Sequence, residues 1–141
     1  MAYLLHAQLF LLTTFILVLN MRLCPVLGYF VGGIEKSSME EEGASEALNY
    51  AVNEYNEKNS DLYLSRVVEV KDVQKQVVAG TKFFFDVILG KTICLKTQGD
   101  LTNCPLNEEA DQQEREFCSF VVHDIPWENY IVLLSSSCHS I

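Results

Sequence analysis

Cysteine and histidine are the side chains in this sequence with the most chemistry to offer, and their spacing decides which kind. The cysteines are Cys24, Cys94, Cys104, Cys118 and Cys138; the histidines are His6, His123 and His139. A catalytic thiol needs a thiolate beside a base. His123 lies in an alternating strand-like run and His139 sits at the chain end beside Cys138, so both read as ordinary surface or strand residues. A structural metal site needs close Cys-x-x-Cys or His pairs, and none occurs. No metal, no cofactor and no enzymatic activity are expected.

The cysteines gain meaning from the amino-terminal segment. Residues 1–19 are apolar, and no charged side chain occurs before Arg22. Two threonines, Thr13 and Thr14, interrupt the run, leaving an apolar core shorter than the roughly 20 residues of a membrane span. A secretory signal peptide fits better than a signal anchor, although its only positive charge is the amino terminus. The short side chains of Val26-Leu27-Gly28 suit a signal peptidase, which predicts a leader at residues 1–28 and a single domain at residues 29–141. Export without stable membrane association follows. Cys24 then leaves with the leader, and the remaining four cysteines imply two disulfides in an oxidising compartment. Four cysteines allow three connectivities. The neighbour pairing, Cys94 with Cys104 and Cys118 with Cys138, closes short loops, each worth roughly 3 kcal/mol in the loop-entropy model, and is the expectation carried forward.

A chain of 141 residues supports one compact domain. Its 10 Lys+Arg against 19 Asp+Glu give a net charge of -9, which repels polyanions and excludes nucleic acid as a partner. Removing the leader takes away Arg22, leaving 9 basic against 19 acidic side chains and a charge of -10. No Asn-x-Ser/Thr acceptor is present, so no N-linked glycan is expected.

The elements that must carry any site are legible from periodicity. Ala44, Ala47, Leu48, Ala51, Val52 and Tyr55 recur at helical spacing and predict one amphipathic helix over residues 38–57. Ser38-Met39-Glu40-Glu41 reads as its capping box, with Glu40, Glu41 and Glu42 in the first turn; Gly43 reads as a weak point worth about 1 kcal/mol relative to alanine. The polar run from Asn56 to Asp61 ends it. The period then becomes two, around Val68 and Val70, over residues 81–89, 117–125 and 130–134, which predicts strands. Val77-Val78-Ala79-Gly80 and Pro126-Trp127-Glu128-Asn129 are short enough to be hairpin tips, so their flanking strands are antiparallel. Residues 89–116 read as a surface excursion. One helix and a meander of strands make an α+β fold, the helix lying across one face of an antiparallel sheet.

Three features fall in order along this frame: Val31-Gly32-Gly33 before the helix, Gln76-Val77-Val78-Ala79-Gly80 between two strands, and Pro126-Trp127 between the last two. Together with the four cysteines and Ala-Val-Asn-Glu-Tyr-Asn at 51–56, they resemble the type 2 cystatins, the secreted, disulfide-bonded class, and above all its salivary members. The resemblance covers essentially all of residues 29–141. It implies a long helix packed across a curved antiparallel sheet, and reversible, competitive, tight inhibition of papain-like cysteine proteases of the cathepsin type. The amino end and the two hairpin tips would then fill the protease cleft as a wedge, with no chemistry required of the inhibitor.

The residue types agree with that role. Val77, Val78 and Ala79 are small and uncharged, as a loop desolvated in a narrow cleft must be. Gly80 gives backbone freedom, and Gln76 reads as fixing the loop through its side-chain amide. Pro126 presets the second turn, and Trp127, the only tryptophan, is a natural interface anchor unless it folds back as core. Val31 would fill a subsite while Gly32 lets the segment pass the active site; a plain flexible linker is the alternative. Some relatives carry a second site, for asparaginyl endopeptidases, on an asparagine after the helix. Ser60 stands at that position here, so no such second activity is expected.

Two further expectations follow. The first is a different class of function, an acidic salivary protein that interacts with mineral or calcium, motivated by the charge and by Ser37-Ser38-Met39-Glu40-Glu41-Glu42. Ser38-Met39-Glu40 fits the Ser-x-Glu pattern of secretory-pathway phosphorylation, which would add roughly -1.5 to -2 charge; a helix cap is the plainer role for Ser38. The second is a monomer, with exchange of the helix and first hairpin strand as the route to a dimer.

Overall fold

The structure is a computed structural model that describes residues 32–98, 103–109 and 113–141. The expected leader and Val31 lie outside the described residues. Residues 33–141 form the second of two units of the chain, and Gly32 is the only described residue of the first.

The second unit is a helix on an antiparallel sheet. A short strand β1 (Glu35–Lys36) precedes helix α1 (Ala44–Lys58), and four longer strands follow: β2 (Tyr63–Val78), β3 (Gly80–Leu95), β4 (Arg115–Ile125) and β5 (Tyr130–Ser140). The sheet order is β1-β2-β3-β4-β5, every neighbour antiparallel, so the chain meanders without a crossover. Three register shifts interrupt the β2–β3 ladder, between Tyr63 and Ser65, Val67 and Glu69, and Val70 and Asp72. Each shift bends the strand and increases its twist, which curves the sheet.

Alternation explains the core. The hydrophobic core takes Phe83, Phe85, Val87 and Leu89 from β3 and Cys118, Phe120 and Val122 from β4. Against them the helix buries Ala44, Ala47, Leu48 and Ala51, four of the six positions picked out by helical spacing, while Val52 and Tyr55 pack at the margin. Three of the four are alanines, whose small side chains let the helix sit close while phenylalanine rings fill the space. Phe83 and Phe85 stack with centroids 5.7 Å apart, and each fully buried ring contributes about 1.5–3 kcal/mol. Asn56, expected in a terminating turn, is instead inside the helix and buried. Its amide donates to the Ser65 carbonyl and accepts from the Ser65 N–H, both at 2.9 Å, tying the helix end to β2. A buried amide bonded on both sides avoids the penalty of an unpaired polar group.

The helix start differs from the expectation. It begins at Ala44, not in the capping sequence at Ser38, because Gly43 has φ 85° and a right-handed helix cannot pass through a left-handed residue. Upstream lie two successive turns: the Glu41 N–H donates to the Ser38 carbonyl (3.2 Å) and the Ala44 N–H to that of Glu41 (3.1 Å). Ser38 is thus no helix cap; its Oγ accepts the Glu40 N–H at 3.3 Å within the first turn. Of the acidic residues only Glu46 lies in the first helical turn. Gly43 is correspondingly not a weak point awaiting alanine. Gly43→Ala is expected to destabilise the domain by about 1 kcal/mol, read by urea denaturation, the opposite sign to that given by helix propensity.

β3 also runs further than expected, to Leu95, so the excursion starts at Lys96 and not after Leu89. The disulfide Cys94–Cys104 closes its first half, the Ile93 N–H donates to the Pro105 carbonyl at 3.1 Å, and Arg66 reaches the Cys104 carbonyl at 3.0 Å. A second disulfide, Cys118–Cys138, joins β4 to β5. At this end of the sheet Lys91 bridges Asp61 (2.8 Å) and Glu114 (2.9 Å), which raises the pKa of its ammonium group. Tyr55 donates to Glu116, and burial together with this bond pushes the phenol up to about 12.

Candidate functional site

The site lies at the other end of the sheet. β2 and β3 stay paired to their last residues, Val77 with Thr81 and Val78 with Gly80, so the turn between them is the single residue Ala79. Gly80 makes so tight a turn possible. Its φ is +77°, and a Cβ built there would stand 2.1 Å from the Asp124 carbonyl oxygen and 2.9 Å from Ile125 Cγ1. Only glycine fits both the angle and the space.

The second turn begins where β4 ends. Pro126–Glu128 form one 3-10 turn, Asn129 takes φ 50°, and its N–H closes onto the Pro126 carbonyl at 3.2 Å before Ile125 pairs with Tyr130. Because Thr81 pairs with Asp124, the two turns stand side by side at one end of adjacent hairpins. β4 touches the first turn directly: His123 Nε2 lies 2.7 Å from the Ala79 carbonyl oxygen.

Exposure separates the side chains here from core. Trp127 is 72% exposed and does not fold back onto the sheet; Val77 is 49% exposed. Pro126 and Ala79 are also exposed, while Gln76, opposite Lys82, Val78 and Gly80 are half-buried. The structure therefore brings Gln76, Val77, Val78, Ala79, Gly80, Pro126 and Trp127 together at one end. β1 pairs Glu35 with Lys75 and Lys36 with Gln74, so Gly33 and Ile34 run toward that same end. Lys75 fastens this approach, bonding Glu41 at 2.6 Å and Glu35 at 3.7 Å. The Glu41 bond is the main reason its ammonium pKa is raised.

Beside the second turn lies an open groove of about 800 Å³, lined by Glu40, Glu41, Glu42, Glu46, Asp124 and Pro126 among others. Burial pushes the Asp124 carboxyl up, Glu46 adds to the shift, and His123 opposes it. Sequence reading missed His123 and Asp124 as parts of this end. The available signal was their position in β4 immediately before Pro126, at the outlet of the second hairpin.

The four cysteines among the described residues are all in disulfides, and His139 packs on Phe117 with centroids 5.4 Å apart. The exposed tips at this end combine small apolar side chains with an exposed indole, and Glu128 carries the one charge in the two turns. The chain belongs to the cystatin family: the cystatin domain model matches residues 32–127, well over half its length. Members of that family inhibit cysteine proteases and are not enzymes.

Similarity extends beyond the domain. Cystatin-S of Rattus norvegicus is 98% identical over all 141 residues, covering the whole of both chains. Human cystatin-C is 44% identical over 108 residues, 77% of this chain and 74% of that one. Among solved structures, dimeric human cystatin F matches with a TM-score of 0.73 at 23% identity, covering 79% of this chain and 89% of that one. That last likeness concerns the fold.

Proposed function

We propose that this protein is a reversible, tight-binding, competitive inhibitor of papain-like cysteine proteases, secreted after removal of residues 1–28 and active as residues 29–141. The observation that carries this reading is the side-by-side placement of two turns, with Trp127 exposed at one and Ala79 at the apex of the other. Residues 76–80, Pro126 and Trp127 would enter the cleft, and Val31 and Gly32 would lie along its subsites. The protease would meet small apolar side chains that are cheap to desolvate and an indole already held out of the core. The test is titration of purified residues 29–141 against papain and a cathepsin-type protease. Stoichiometric inhibition that excess substrate reverses is expected; failure to inhibit at micromolar concentration would overturn the proposal.

A second activity toward asparaginyl endopeptidases is not proposed. Ser60 occupies the expected asparagine position, and the neighbouring Asn59 is engaged: its Oδ1 accepts the Asp61 N–H at 2.6 Å and its carbonyl accepts from Lys96 at 2.7 Å.

One observation favours a second role, interaction with calcium or mineral. Ser38 is exposed and lies outside the helix, next to the glutamates of the groove. A phosphate on it would extend an already acidic surface. Mass spectrometry of the secreted protein should then find phosphate on Ser38, and an unmodified Ser38 removes the support for this role.

A further inference from the structure

We propose that His123 is a positioning residue of the binding edge, holding the first turn by the Ala79 carbonyl and so setting where that turn stands relative to the second. The inference rests on the reading of this end as the protease-binding edge, and it concerns a residue with no expected contact in the cleft.

A carbonyl oxygen can only accept, so at 2.7 Å from Ala79 the His123 Nε2 is the donor and carries the hydrogen. The backbone of His123 is held on both sides, opposite Lys82 on β3 and Val132 on β5. Its ring meets the edge of Tyr130 with centroids 5.5 Å apart and planes at 77°. Tyr130 is the first residue of β5 and pairs with Ile125 across the second turn. His123 therefore bonds to the apex of one turn and packs on the closing residue of the other. A surface histidine with a purely local role would touch only one of them.

The position matters because of what the first turn lacks. With Ala79 as its only unpaired residue, the orientation of one peptide group decides which way the apex points. Gly80 permits that orientation, since its φ of +77° is available to it at no steric cost, but permission is not selection. The His123 donor selects it, by giving the Ala79 carbonyl a fixed partner in place of exchanging water. An apex fixed before binding loses less freedom when it enters a cleft, and that gain appears chiefly as slower dissociation.

The test uses the protein secreted from cells expressing the full chain, with two variants. His123→Phe keeps a ring against Tyr130 but removes the donor; His123→Gln restores an N–H donor without the ring. Affinity and dissociation rate for papain are measured alongside NMR order parameters for the Ala79 and Gly80 amides in the free protein. The Phe variant is expected to bind about tenfold more weakly, mostly through faster dissociation, with lower order at both amides and Tm within about 2 °C of the parent. The Gln variant should recover most of the affinity and order.

Unchanged affinity and order in the Phe variant would overturn the proposal. So would equal loss of Tm in both variants with no rescue by Gln, which is the signature of a merely structural residue. If the parent protein fails to inhibit papain, the function fails, and the order parameters alone still decide whether His123 holds the turn.

Discussion

Trp127→Ala is expected to weaken binding to papain by about 2 kcal/mol or more, roughly thirtyfold, while leaving thermal unfolding unchanged. The two halves of that expectation have one cause. At 72% exposure the indole contributes little to the core, so its loss leaves no cavity. The same exposure means that its apolar surface is still available to be buried by a partner. Competitive titration and circular dichroism on the same preparation check both halves. A variant that binds papain like the parent would remove Trp127 from the interface, and one that unfolds several degrees earlier would return it to the core.

Gly80→Ala should do the reverse, damaging the fold and the binding edge together. Its φ of +77° costs an alanine about 1–2 kcal/mol. The added methyl would also stand 2.1 Å from the Asp124 carbonyl oxygen, which is backbone and cannot rotate away. Relieving that overlap parts the first turn from β4, at about 1–3 kcal/mol more. The expected result is a loss of roughly 2–5 kcal/mol in urea denaturation and at least tenfold weaker inhibition where the variant remains folded. Gly33→Ala is the control, since a Cβ there meets nothing within 4 Å; it should leave stability nearly unchanged.

The fold was legible in the sequence wherever a single period governed a segment. Helical spacing found the buried face at Ala44, Ala47, Leu48 and Ala51, and alternation found the strands at 81–89 and 117–125 that bury Phe83, Phe85 and Val87, and Phe120 and Val122. Element ends were less legible because they depend on dihedral angles and long-range pairing. Ser38-Met39-Glu40-Glu41 has the composition of a capping box, yet the left-handed Gly43 places the helix start after it. Asn56 looked like a turn residue because amides favour turns, and only the fold shows that Ser65 satisfies it in the interior. β3 outran its alternating pattern because β2 continues beside it, Tyr63 pairing with Leu95.

The candidate site divides in the same way. The two turns were visible from Gly80 and from Pro126-Trp127, residues whose types are tied to local geometry. Their adjacency comes from the pairing of Thr81 with Asp124, a relation between positions far apart in the chain. His123 was invisible as a partner of Ala79 for that reason: within β4 it differs in no periodic respect from its neighbours.

The one-residue turn also bears on survival. A protease cleaves a peptide that lies extended through its cleft over several residues, and exposed loop tips are where such cuts concentrate. Ala79 offers no such length. Val78 and Gly80 on either side are already paired with each other, so drawing the apex into a cutting geometry would mean unzipping the β2–β3 ladder from its end. Any hydrolase that grips this end would have to undo a strand pair before it could sever a bond. The tip can be held against an active site far more readily than it can be consumed there.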